Sequence, residues 1–178
     1  MHQAFHVGLG ILLGLHLATA KDQPLTPQVE RGQELFLKSP KGTACATCHE
    51  MAGLGTAIGP DLRKLASVIG PRGLVSAIQM TVTAYVQQVK VAGRTFPGIQ
   101  KQKQGDEIEI WDLGQMPPIL RKLTSKQIFS MTQNRDWEHP PASAGYTSQE
   151  LADLIGFLKW ASTESQREIK ASDVETPQ

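Results

Sequence analysis

Two cysteines and a histidine lie together in the stretch CATCHE, which covers residues 45–50. Cys45 and Cys48 are three positions apart, and His49 follows directly. The pattern C-x-x-C-H attaches haem covalently, whereas C-x-x-C alone also occurs in redox-active thiol pairs and in zinc sites. These are the only cysteines among the 178 residues, so a disulfide framework is excluded.

Haem attachment explains the spacing best. Each thiol forms a thioether with one haem vinyl group, and residues three apart on one turn present both sulfurs to the same porphyrin edge. The next residue then places an imidazole below the iron, with its Nδ1–H held by a backbone carbonyl. The sequence therefore predicts one covalent haem c, with Cys45 and Cys48 as its anchors and His49 as the proximal iron ligand.

Two other kinds of site stay open. A thioredoxin-like redox pair follows a strand and opens a helix, but here a helix and a loop precede the cysteines and a glycine-rich loop comes after them. A zinc site needs four ligands. Cys45, Cys48, His49 and His139 reach that number, although His139 lies 90 residues beyond His49.

The first twenty residues resemble a secretion signal. An apolar run from Val7 to Leu17 is followed by Ala18-Thr19-Ala20, a typical cleavage pattern, and the run is too short to span a bilayer comfortably. We therefore expect residues 1–20 to be a cleaved signal peptide and the protein to be periplasmic or otherwise exported. A retained anchor is the alternative, since this segment contains no Lys or Arg.

Composition limits the classes of partner. The formal net charge is +1, so no strong attraction to nucleic acid is expected. Cleavage of the signal would leave His49 and His139 as the only histidines. We expect no nucleic-acid partner, and no stable membrane insertion once the signal is removed.

Helix signals lie at both ends of the predicted domain, residues 21–162. Thr26 and Pro27 predict a helix from there to about Lys38. Asp61 is suited to cap a short helix, and another is expected in GPRGLVSAIQM. TSQE at 147–150 is a capping box that opens a longer helix, and the polar residues 163–178 predict a disordered tail.

The middle of the chain has a different hydrophobic period. Alternating β-branched residues and turn glycines predict two to four short strands between Tyr85 and Leu120, within a β-rich insert at about 85–122. TSKQ at 124–127 is a second capping box, which predicts a short helix to about Met131. Met80 and Met131 are expected at helical core positions.

Three segments around CATCH together resemble a monohaem c-type cytochrome. They are ERGQELF at 30–36, GPDL at 59–62 and TSQELADLIGFLKW at 147–160. The resemblance implies a mainly α cytochrome c fold, in which the N- and C-terminal helices cross around a covalent haem, with a small antiparallel β insert. It implies that Gly32 and Phe36 meet Leu154 and Phe157. It also implies that the Pro60 carbonyl accepts the His49 N–H and that Leu62 packs on the porphyrin.

The distal ligand departs from the family pattern. The family has a methionine in a Met-Pro step before the last helix, whereas this chain has WEHPPASAGYTSQEL there. Histidine is the residue type best suited to replace a thioether as an axial ligand. We therefore expect His139 to be the distal ligand, with Met116 of Met116-Pro117 as its rival and an open or water-bound iron as the remaining possibility.

The resemblance implies electron transfer, and no catalytic residues are predicted. The β-rich insert is similar to that of haem-binding domains associated with periplasmic dehydrogenase-like proteins. A non-enzymatic carrier of single electrons between such a dehydrogenase and a downstream acceptor is expected. The alternatives are an open-site haem enzyme or sensor, and a haem-bearing docking subunit of a larger oxidoreductase.

Overall fold

The computed structural model describes residues 24–80, 83–140, 143 and 145–175. The predicted signal peptide lies outside these ranges. Within them, no helix has both the length and the apolar character needed to cross a bilayer.

The described chain contains helices at its two ends and strands between them. In chain order the elements are α1 (Pro27–Leu37), β1 (Glu50–Met51), β2 (Leu54–Gly55), α2 (Leu62–Val68), α3 (Pro71–Gln79), β3 (Gln87–Val91), β4 (Arg94–Gln104), β5 (Glu107–Asp112), β6 (Ile119–Thr124), β7 (Ile128–Gln133), α4 (Ser148–Thr163) and α5 (Ala171–Val174). The helix starts agree with the predicted caps, since the side chains of Thr26, Asp61 and Thr147 each accept a backbone N–H of the adjoining helix.

The first and last long helices cross at a glycine. A Cβ added to Gly32 would lie 1.9 Å from the carbonyl oxygen of Asp153 and 2.8 Å from the Cβ of Phe157. The Phe36 and Phe157 rings pack beside this point, with centroids 5.2 Å apart. The expected crossing of the terminal helices is therefore confirmed, and the backbone that Gly32 meets is that of Asp153.

Further helices complete this helical core. The helix α3 forms in the predicted segment, and its Leu74 and Val75 are buried. Met80 comes after that helix at its C-cap and is 63% exposed, so the expectation of a core position was wrong. It lies one residue beyond the end of the helix, at the edge of a cavity described below.

The strands form a five-stranded antiparallel sheet with the order β6-β5-β4-β3-β7. Val89 pairs with Phe96 on one side and with Met131 on the other. Val89, Phe96 and Ile110 are buried in a separate small core on the sheet. The prediction of a mainly α fold was wrong, because about 27% of the described residues are strand.

The sheet extends beyond the predicted insert. Both hydrogen bonds of the capping box between Thr124 and Gln127 are present, but they close only a single 3-10 turn over Ser125–Gln127. The chain then continues as β7 and pairs with β3. The helix expected to reach Met131 does not form, because a capping box satisfies one turn only and strand pairing determines the path of the next residues.

A third group of apolar side chains joins the helical core to the sheet. We call it the junction cluster. Its members are Ile58, Val86 and Leu113, which are buried, and Cys48, Ile99, Trp111 and Trp137, which are partly buried against them.

The segment after Ser162 differs from the disordered tail that its polarity predicts. Ile169 and Val174 are buried against the helical core. The Gln28 side chain donates a hydrogen bond to the Ile169 carbonyl at 2.7 Å and accepts one from the Ile169 N–H at 2.9 Å. The buried side chains of Ile169 and Val174 and the amide of Gln28 therefore hold this polar segment against the helices. Residues 176–178 lie outside the described ranges.

The crossing of α1 and α4 gives a first prediction. Gly32→Ala would place a methyl group inside the contact with the Asp153 carbonyl, and only separation of the two helices could relieve it. We expect the free energy of unfolding to fall by about 3 kcal/mol, measured by chemical denaturation. Gly70→Ala is the control, because a Cβ at Gly70 meets nothing within 4 Å. An equal loss in both variants would contradict this view of the crossing.

The same crossing gives a pH dependence. Burial raises the pKa of Asp153, but hydrogen bonds from Arg31, Gln149 and Gln28 outweigh it and hold that pKa below its usual value. The ionised carboxylate therefore stabilises the fold above the usual aspartate pKa of about 3.9. Its contribution is lost as the pH falls through the lower folded pKa.

We expect Asp153→Asn to cost about 1–2 kcal/mol of unfolding free energy at pH 7. The difference from wild type should disappear near pH 2, as measured by urea denaturation across this range. Asp106→Asn, at an exposed turn carboxyl, is the matched control. If the difference in unfolding free energy between the two proteins stayed constant with pH, ionisation of Asp153 would not contribute to stability.

Candidate functional site

The two cysteines lie on one tight turn. Residues Cys45–Thr47 form a single 3-10 turn, and the Cys45 carbonyl accepts the N–H of Cys48 at 3.1 Å and of His49 at 2.8 Å. Cys45 and Cys48 are partly buried free thiols. The turn thus directs two sulfurs and one imidazole into neighbouring space, as the spacing predicts.

A loop with two close-packed glycines holds this turn from behind. The Cys48 carbonyl accepts the N–H groups of Ile58 at 3.0 Å and Gly59 at 2.6 Å. Gly55 has φ +90°, and a Cβ there would lie 2.2 Å from the His49 carbonyl oxygen. Glycine is therefore required at position 55 by both conformation and space.

The imidazole of His49 is fixed on two sides. Its Nδ1 lies 2.9 Å from the Pro60 carbonyl oxygen, the contact that the resemblance implies. A Cβ added to Gly59 would lie 2.6 Å from His49 Cε1. Burial lowers the pKa of His49, while the Pro60 hydrogen bond raises it and His139 lowers it. With Nδ1–H donating to Pro60, Nε2 carries the free lone pair.

The structure brings His139 opposite His49. The two ring centroids are 5.9 Å apart, with an angle of 37° between the ring planes. Burial lowers the pKa of His139, although a hydrogen bond with the Pro140 backbone opposes this effect. Burial thus favours the neutral form of both imidazoles, the form in which histidine binds metals.

Two cavities meet at this histidine pair. The larger, of about 370 Å³, is lined by apolar side chains that include Leu62, Leu65 and Ile78. The smaller one, of about 30 Å³, is lined by Cys48, Ile99, Met116 and Trp137. Cys45, His49, Tyr85 and His139 line both cavities. Leu62 therefore lies at the site, and Met116, which is 44% exposed, lies at its rim.

The residues present fit a haem c. A metal ion lies about 2 Å from each imidazole nitrogen that binds it, so two rings on opposite sides of one ion have centroids about 6 Å apart. The observed 5.9 Å agrees with this arrangement. The thiols lie on the turn that carries one of the rings. Thr83 lines the larger cavity, and its Oγ1 is buried without a protein partner.

The other two kinds of site are less well matched. Burial raises the pKa of Cys45 to about 11 and also raises that of Cys48, whereas reactive redox cysteines have lowered pKa values. The turn is followed by the β1–β2 hairpin instead of a helix. In the part of the chain that the structure describes, no group of three or more His, Cys, Asp or Glu residues could hold a metal ion.

Comparison with known proteins agrees with this geometry. Residues 29–115 match the family model described as Cytochrome c. The match supports a c-type cytochrome, a haem-based electron-transfer role and a covalently bound haem c. It spans the cysteine turn and ends just before Met116, well ahead of His139. A search of curated proteins finds no match.

Sequence reasoning did not assign a role at this site to several residues that surround it. They are Gly55, Gly59, Thr83 and Tyr85. Trp137 is different, because a tryptophan two positions before His139 is expected from the sequence to line either the haem or the core, and it lines the smaller cavity. The glycines also occur in an unusually glycine-rich loop, but only the tertiary contacts show which of them face His49.

The contact at Gly59 yields a prediction. Gly59→Ala would push its methyl group against the His49 ring, so the ring must leave the Pro60 carbonyl. We expect a loss of about 1–3 kcal/mol in unfolding free energy and an altered absorption spectrum of the haem-loaded protein. Gly53→Asn is the control, because asparagine tolerates a positive φ and space is open at Gly53. An unchanged Gly59→Ala spectrum would show that this packing does not orient His49.

Proposed function

We propose that this protein is an exported carrier of single electrons with one haem c. Cys45 and Cys48 hold the haem, and His49 and His139 bind its iron from opposite faces. The observation that carries the proposal is the pair of imidazoles, with ring centroids 5.9 Å apart and beside the cysteine turn. The predicted signal peptide and the general export of c-type cytochromes support the location.

When bound, haem c supplies an iron couple that gains and loses one electron. The residues of this chain determine how that couple behaves. The Pro60 carbonyl fixes the His49 tautomer and raises the basicity of its free nitrogen. Two imidazole ligands lower the reduction potential relative to a histidine–methionine pair and leave no axial position for a substrate. This arrangement favours electron transfer over catalysis.

Met116 is the competing ligand, because it lines the smaller cavity together with both histidines. His139 is favoured by its ring, which is partly buried and faces His49 directly. The open-iron enzyme or sensor requires that neither residue bind. Absorption spectra separate all three arrangements.

We propose an exported dehydrogenase as the electron donor and a further redox protein as the acceptor. The support is the likeness of the strand-rich segment to haem domains associated with periplasmic dehydrogenase-like proteins. Reduction of the ferric protein by a periplasmic fraction, after addition of dehydrogenase substrates, would be measured in the visible spectrum. No reduction by a fraction with intact dehydrogenase activity would contradict this assignment of the donor.

The ligand assignment leads to a prediction for the purified haem-loaded protein. The wild type should be low-spin in both redox states and should bind carbon monoxide poorly. His139→Ala should open the iron and bind carbon monoxide readily. His139→Met should restore a low-spin spectrum with a reduction potential higher by on the order of 0.1 V. Redox titration and carbon monoxide difference spectra measure these changes.

Met116→Leu is the matched control, since it keeps the apolar side chain and removes the thioether. Its spectrum and potential should equal those of the wild type. If His139→Ala stays low-spin while Met116→Leu binds carbon monoxide, the ligand is Met116. A high-spin wild type with ready carbon monoxide binding would instead support the open-iron alternative.

A further inference from the structure

We propose that Trp137 is a positioning residue that holds the His139 ring towards His49. The inference rests on the proposed function and concerns how the distal ligand is kept in place. The Trp137 indole meets the His139 imidazole edge to face, with centroids 6.2 Å apart and ring planes at 88°. No other aromatic ring besides His49 contacts His139 among the described residues.

His139 lies on a loop with little regular structure of its own. Residues 134–140 connect β7 to the segment before α4 and form neither helix nor an extended strand. The loop begins at a defined point, since the Asn134 N–H donates to the Val86 carbonyl at 2.9 Å. Beyond that point, Trp137 is the member of the loop that packs into the junction cluster. This side chain therefore anchors the loop just before the ligand.

The junction cluster also contacts the other half of the site. It contains Ile58, whose N–H binds the Cys48 carbonyl, and it includes Cys48 itself. The same apolar group thus packs against the turn that carries His49 and the loop that carries His139. Trp137 contacts the His139 ring directly. Packing in this cluster determines where Trp137 lies relative to the cysteine turn. The contact between Trp137 and His139 in turn holds the His139 ring in place.

The contact matters because a loop histidine can turn about its side-chain bonds. An aromatic edge-to-face contact favours one ring orientation. It is strong enough to change the ratio of iron-bound to detached His139 roughly two- to tenfold. Detachment of His139 would leave the iron open to an added ligand. Apparent affinity for such a ligand rises in proportion to the detached fraction. Carbon monoxide binding therefore reports the position of His139.

The test uses the haem-loaded full chain and measures the carbon monoxide affinity of the reduced protein. Trp137→Leu, which keeps an apolar side chain, should raise the apparent affinity roughly two- to tenfold. Trp137→Phe, which restores an aromatic ring, should return it towards the wild-type value. Trp160→Ala is the control for general destabilisation, since Trp160 packs on Phe157 in the helical core and lines neither cavity.

The outcomes separate this inference from the proposed function. If His139→Ala opens the iron but Trp137→Leu has wild-type affinity, the positioning role is refuted and the ligand assignment stands. If Trp137→Phe behaves like Trp137→Leu, or Trp160→Ala raises the affinity equally, the aromatic contact is not what holds the ring. If His139→Ala stays low-spin and closed to carbon monoxide, the ligand assignment itself fails. Only a rise in Trp137→Leu with rescue in Trp137→Phe supports the inference.

Discussion

The Cys48 carbonyl accepts hydrogen bonds from both Ile58 and Gly59, and the rest of the site depends on this contact. It brings Gly59 against the His49 ring and the Pro60 carbonyl to Nδ1 of the same ring. It also directs Ile58 into the junction cluster. One backbone carbonyl therefore determines how the cysteine turn, the imidazole and the sheet are placed relative to one another. This arrangement requires glycine at positions 55 and 59, because a Cβ at either position would collide with His49.

The two histidines come from parts of the chain with separate cores. The crossing of α1 and α4 dominates the first core, in which Gly32 lets the backbones approach. Val89, Phe96 and Ile110 form the second core on the sheet. His49 comes from the helical side, and His139 lies beyond the last strand of the sheet. The sheet is therefore part of the scaffold of the site, because the path of β7 determines where the loop with His139 begins.

The errors about the extent of the sheet have one physical origin. The capping box at Thr124 and Gln127 was predicted correctly, yet it opens a single turn. Capping describes the hydrogen bonds of one turn, whereas a helix continues only if a stripe of side chains at helical spacing is buried. After Gln127 the chain pairs with β3 instead, and Met131 packs on Val89 across the strands. Short strands carry weak signals, so the extent of the sheet was underestimated.

The sequence by itself determined the spacing of the cysteine turn, which predicts haem attachment, and the caps at Thr26, Asp61 and Thr147. The resemblance to a c-type cytochrome implied the helix crossing at Gly32. Most of these features depend on hydrogen bonds and spacing within a few residues, which a sequence displays directly. Only the tertiary structure decided that His139 faces His49, that Trp137 meets its edge, and that the strand order is β6-β5-β4-β3-β7. Those contacts join residues far apart in the chain. Their geometry arises from packing in the junction cluster, and apart from the WEHPP segment that indicates His139 no local pattern records it.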